Sequence, residues 1–161
     1  MIAFPQKFWK KNGRRFELPT LSRISPLYAI YLFLLAALPL PEKLRIWHFS
    51  VGFAHIANDP EIIVILRLVE YFASFTVLGY MIAEYRGRKD VSFGQTMKWV
   101  LYICFSVSAL LEIIRGFHPN YYASFTQLIF AASAGIYGGI LYRLQLNIVQ
   151  TLLAQQKYYR N

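Results

Sequence analysis

Four apolar runs, separated by short polar stretches, make up most of the chain. They cover residues 25–41, 62–83, 96–114 and 124–142. The first carries no charge, opens near Pro26, where a missing N–H costs a helix little, and closes on Pro39 and Pro41. At seventeen residues it is close to the minimum for a helix that crosses a bilayer. The second is interrupted only by Arg67 and Glu70; the third has Lys98 at its start and Glu112 near its far end, with Arg115 just beyond it. The fourth is uncharged and rich in small residues. Between the first and second runs, Leu44, Trp47, Val51 and Ala54 recur near helical spacing. This pattern predicts a short helix lying in the membrane interface, with Trp47 and Phe49 as belt aromatics and Asn58, Asp59 and Pro60 opening the next helix. Beyond residue 142, Leu144, Ile148, Leu152 and Leu153 stand among glutamines, which predicts a helical tail continuing the fourth run.

Charge turns these runs into a topology. Of the seventeen Lys and Arg residues, six lie in the N-terminal segment (Lys7, Lys10, Lys11, Arg14, Arg15, Arg23). Four lie in the stretch 84–98, from the end of the second run to the start of the third (Arg86, Arg88, Lys89, Lys98), and three in the tail (Arg143, Lys157, Arg160). Only Lys43, Arg45 and Arg115 fall in the alternate segments, and Arg67 is inside a run. Cytoplasmic segments carry the excess of cations, so both termini and the loop after residue 83 are expected in the cytoplasm. The fold expected is an all-α integral membrane protein, a four-transmembrane-helix bundle. It comprises a basic cytoplasmic or interfacial segment (1–24), a membrane domain with a short outer-face interfacial helix (25–143) and a cytoplasmic helical tail (144–161).

Composition agrees: 57% of residues are hydrophobic and 16% charged, against about a quarter charged in soluble domains. The net charge of +9 would suit nucleic acid, but the cations follow membrane topology, and the basic, aromatic N-terminal segment suits an anionic membrane surface, so no nucleic-acid partner is expected. Cys104, the single cysteine, lies in an apolar run and reads as a small buried hydrophobe.

Candidate chemistry is confined to Arg67, Glu70, Glu112 and Arg115. In the expected topology all four share the outer half of the membrane: Arg67 lies about 8 Å and Glu70 about 12 Å below the start of the second span, with Glu112 a turn below the end of the third. An unpaired charge at such depth costs about 2.5 kcal/mol or more, so partners are expected. The cluster reads either as an interhelical ion-pair network or as a lipid-headgroup site with the arginines holding phosphate. Ala131, Gly135 and Gly139, and separately Ala134 and Gly138, recur every four residues and mark faces for close helix approach. His48, His55 and His118 all fall on the outer side and read as surface hydrogen-bonding groups. No metalloprotease, CxxC, phosphate-loop or nucleophile-elbow motif occurs, so no catalytic residue, metal or cofactor is assigned.

Two blocks resemble the VanZ-like family, small bacterial membrane proteins named for a teicoplanin-resistance protein. The first is Arg67, Tyr71, Phe75 and Leu78-Gly79. The second is Glu112-x-x-Arg115, the turn Phe117-His118-Pro119-Asn120-Tyr121, Ser124 to Gln127, and the small residues Ala131, Ala134 and Gly138. Together they span roughly residues 67–143. The resemblance implies a four-span envelope protein. At the family's acidic, His or Asn, turn-arginine and last-span aspartate positions this chain has Arg67, Tyr71, Tyr121 and Gln127, and only Glu112 keeps its charge. A non-catalytic bacterial inner-membrane protein is therefore expected, acting as an accessory or scaffold subunit, or a lipid-binding component, of a membrane complex. Its expected partners are membrane lipids and other membrane subunits. The alternative is an envelope factor acting on a cell-envelope lipid or in glycopeptide resistance, with Glu112 as general acid or base.

Overall fold

The computed structural model describes residues 17–37, 46–52, 61–87, 91–119 and 122–159. Four helices, α1 (Glu17–Ala37), α2 (Glu61–Gly87), α3 (Phe93–Gly116) and α4 (Phe125–Tyr159), carry the fold. Two short strands, β1 (Phe49–Ser50) and β2 (Ala123–Ser124), pair in parallel between them. Three of the helices are long and apolar enough to cross a membrane: Ile65–Gly87, Phe93–Gly116 and Phe125–Leu152. The apolar part of α1, Arg23–Ala37, is shorter.

Side-chain contacts fix the direction of each helix against its neighbours. Tyr28 and Tyr31 of α1 meet Ser74 and Glu70 of α2 in reverse order. Tyr71 of α2 meets Ser108 and Glu112, while Arg86 meets Trp99, so α3 reverses again. Glu112 reaches Ser124 at one end of α4 and Phe93 reaches Arg143 further along, so α4 runs back beside α3. The helices thus alternate in direction around one core, in which Leu32, Phe75, Val100, Cys104, Ala131 and Ala134 are all buried.

The small residues of α4 set the closest approaches. A Cβ on Gly138 would overlap the Thr76 carbonyl oxygen and stand 2.8 Å from the Tyr80 nitrogen, and one on Gly79 would overlap the Gly135 carbonyl. Backbone therefore meets backbone between α2 and α4. On the α3 side, side chains on Gly135 and Gly139 would collide with Cys104 and Met97. All five small positions, Ala131, Ala134, Gly135, Gly138 and Gly139, are buried within this one chain.

Several boundaries differ from those expected. Helix α1 starts at Glu17, so Pro26 lies in its interior rather than in its first turn. Neighbouring groups that satisfy the freed carbonyl make interior proline tolerable in membrane helices. Helix α4 runs on to Tyr159, so the tail continues the fourth run as a helix, as its apolar spacing predicted; residues 143–159 contain no glycine or proline to stop it. The expected interfacial helix is extended where it is described, over 46–52. There the backbone is drawn into bonds with other segments: His48 N–H donates to Gly116 O and Ala123 N–H donates to His48 O, both at 3.0 Å. Residues 53–60, with His55 and the Asn58, Asp59 and Pro60 cap, lie outside the described residues, as do 1–16 and 38–45.

Candidate functional site

The first turn of any helix leaves backbone N–H groups without intrahelical partners. At the start of α4 the sequence Ser124-Phe125-Thr126-Gln127 has the spacing of a capping box, in which the serine side chain serves the third residue and the third residue's side chain returns the favour. Half of that arrangement forms: Ser124 Oγ accepts from Gln127 N–H at 3.4 Å. The other half is supplied from a different helix. Glu112 Oε2, on α3, accepts the Ser124 N–H at 2.7 Å, which leaves the Gln127 side chain to accept from Arg115 Nη1 at 2.9 Å.

A buried network follows from this exchange. Arg115 Nη1 also donates to Glu112 Oε1 at 3.1 Å, one helical turn away on the same face. The Tyr71 hydroxyl reaches the same oxygen at 3.4 Å and exchanges a 2.9 Å bond with Ser108, while the Arg115 guanidinium lies 4.9 Å from the Tyr71 ring centre. Glu112 is only 4% exposed, and Tyr71, Ser108, Ser124 and Gln127 are buried with it. The carboxylate's charge is met by the guanidinium and by the partial positive charge at the start of α4. Both of its oxygens are committed to donors, so it would have to give one up before accepting a proton from anything else.

The segment 46–52 closes over this network. The Ser124 hydroxyl donates to Gly52 O at 3.1 Å and the Thr126 hydroxyl to Val51 O. The Trp47 indole lies against Gly116 and stacks on Phe49 at 5.8 Å. His118, in the turn after α3, is buried, and its backbone N–H donates to Arg115 O at 2.9 Å. His48 meets Tyr122 edge-on at 5.9 Å.

Of the four charged residues singled out in the sequence, the structure joins Glu112 to Arg115. It places Glu70 at the seam between α1 and α2, where the Tyr31 hydroxyl reaches it at 3.4 Å and also contacts Ser74 Oγ at 3.2 Å. Arg67 is exposed on α2. Ser108 was not foreseen. Its signal was the four-residue spacing from Glu112, which puts both on one face of α3. The capping role of Glu112 had no sequence signal, because its partner N–H belongs to a different helix.

Comparison of the chain with protein-family models, with curated proteins and with solved structures finds no match.

Proposed function

We propose that the chain is a four-span protein of the bacterial inner membrane, with both termini cytoplasmic, that works by association rather than catalysis. It serves as an accessory or scaffold subunit, or a lipid-binding component, of a membrane complex. The observation that carries this reading is the full commitment of the Glu112 carboxylate to Ser124 N–H, Arg115 and Tyr71. Where a catalytic carboxylate would stand open to a substrate, this one ties α3 to α4. The alternation of helix direction, together with the cations gathered in the N-terminal segment, the 84–98 region and the tail, supports four crossings. The apolar part of α1, about 23 Å long, then spans a locally thinned bilayer or tilts little. Many exposed apolar side chains, among them Leu27 on α1, Ile65 on α2 and Leu110 on α3, supply surface for lipid and for neighbouring helices.

Purification in a mild detergent followed by native mass spectrometry tests this. A stoichiometric protein partner or retained lipid is expected, and a bare monomer in every detergent would sink the idea. Topology is read separately, from labelling of single cysteines placed in the 88–92 loop and at both termini, all of which should be shielded from an outside reagent.

One observation favours a VanZ-like envelope factor as a second reading. Tyr71, Glu112 and Gln127, three positions that the resemblance aligns with the family's polar set, converge in one network; Tyr121 lies outside the described residues. Under that reading, Glu112→Gln abolishes a glycopeptide-resistance or envelope phenotype at undiminished membrane abundance. An unchanged phenotype rejects it.

A further inference from the structure

The end of the bundle away from Glu112 holds its cations in a different manner. The Arg86 guanidinium carbon lies 4.3 Å from the centre of the Trp99 ring, and its Nε is enclosed with no hydrogen-bond acceptor. Lys98 stands exposed beside Trp99 on α3. Glu112 and Arg115 pair at the opposite end, whereas no carboxylate among the described residues lies within ion-pair distance of Arg86 or Lys98. A cation–π contact attracts and orients a guanidinium but leaves its charge uncancelled.

From this point α3 changes character in steps. Tyr102 meets the Trp99 ring edge-on at 6.1 Å and is 66% exposed, and Phe105, a turn deeper, is 45% exposed. Positions 98, 101, 102 and 105 share one helical face. Over about 10 Å that face passes from a cation, through an aromatic ring with a polar edge, to pure hydrocarbon. A phospholipid shows the same succession from phosphate to glycerol ester to acyl chain.

We propose that this face holds one anionic phospholipid of the cytoplasmic leaflet, its phosphate at Arg86 and Lys98 and an acyl chain along Tyr102 and Phe105. The proposal rests on the membrane-spanning reading above and adds to it a headgroup class and a place. Charge complementarity selects the occupant. An apolar helix laid on the same face would leave two cations uncompensated, and a zwitterionic headgroup would bring its own cation toward them. Arg143, 4.1 Å over the Phe93 ring, provides the control. Trp99 adjoins that face through its edge contact with Tyr102, whereas Phe93, five residues from Lys98, lies about 140° from it round α3, which puts Arg143 beside a different face.

The full chain, purified in detergent micelles doped with phosphatidylglycerol or with phosphatidylcholine, is analysed by native mass spectrometry for retained lipid. Selective retention of one phosphatidylglycerol is expected. It should weaken roughly fivefold in Lys98→Gln and roughly thirtyfold in the Arg86→Gln/Lys98→Gln pair, and stay unchanged in Arg143→Gln. Equal retention of both lipids by the wild-type chain, or equal weakening in Arg143→Gln, overturns the site. Lys98 is exposed, so its variant reads the charge without disturbing the fold, and helix content by circular dichroism checks the double variant. Insertion into vesicles and resistance to alkaline extraction are scored on the same wild-type sample. A chain that inserts and shows no headgroup preference overturns the lipid site alone, and one that fails to insert overturns the membrane reading beneath it.

Discussion

The two ends of the bundle solve the same problem, the placing of charge beside apolar helices, by different means. At one end Glu112 and Arg115 are drawn inward and satisfied atom by atom, by the Ser124 N–H, the Tyr71 hydroxyl and the Gln127 carbonyl. At the other, Arg86 and Arg143 lie on the faces of Trp99 and Phe93. Hydrogen bonds to a buried carboxylate are directional, and the loss of one leaves a charge or a donor stranded. A cation on an aromatic face is held more loosely and keeps its charge uncancelled. The first end is therefore built to fix the hairpin between α3 and α4, and the second to hold cations without cancelling their charge.

That contrast sets an order of sensitivity. Removing the cation from the buried pair, as in Arg115→Met, leaves Glu112 enclosed and should cost about 3 kcal/mol or more, read as a loss of helix signal at lower denaturant and reduced abundance in membranes. Gly138→Ala acts on neither end but drives a methyl group into the Thr76 carbonyl. It should cost about 1–3 kcal/mol and lower the stability of both ends together, as followed by cysteine protection at each. Ser124→Ala removes the cap of α4 and one tie to the 46–52 segment, for about 1 kcal/mol, with faster hydrogen exchange confined to the first turn of α4. Arg143→Gln should cost no more than about 0.5–1 kcal/mol. If it proved as damaging as Arg115→Met in the same unfolding assay, the contrast between the ends would not hold.

Much of this architecture was legible in the order of residues. Long apolar runs have few ways to satisfy their backbone except as helices, so α2, α3 and the start of α4 were placed within a few residues. The rows Ala134–Gly138 and Ala131–Gly135–Gly139 announced close approaches. What could not be read was which neighbour each row meets. Gly138 lies against Thr76 and Tyr80 of α2, while Gly139 lies against Met97 of α3. The 46–52 stretch carried a helical spacing of apolar residues, but its backbone bonds to Gly116 and Ala123 hold it extended. Local spacing carries no information about such distant acceptors.

The candidate site divides along the same line. The pair Glu112 and Arg115 could be found from sequence because their three-residue spacing is a property of one helix. Grouping Glu70 with them rested on shared depth alone, and depth does not say which face of a helix a side chain occupies. The structure gives Glu70 to Tyr31 and brings the neighbouring Tyr71 to Glu112. By itself the sequence determined helices, their apolar lengths and the segregation of cations, because those depend on composition and local period. Only the tertiary structure decided that Glu112 caps a helix other than its own. That bond joins residues twelve apart across a turn, and it exists only once α3 and α4 lie side by side.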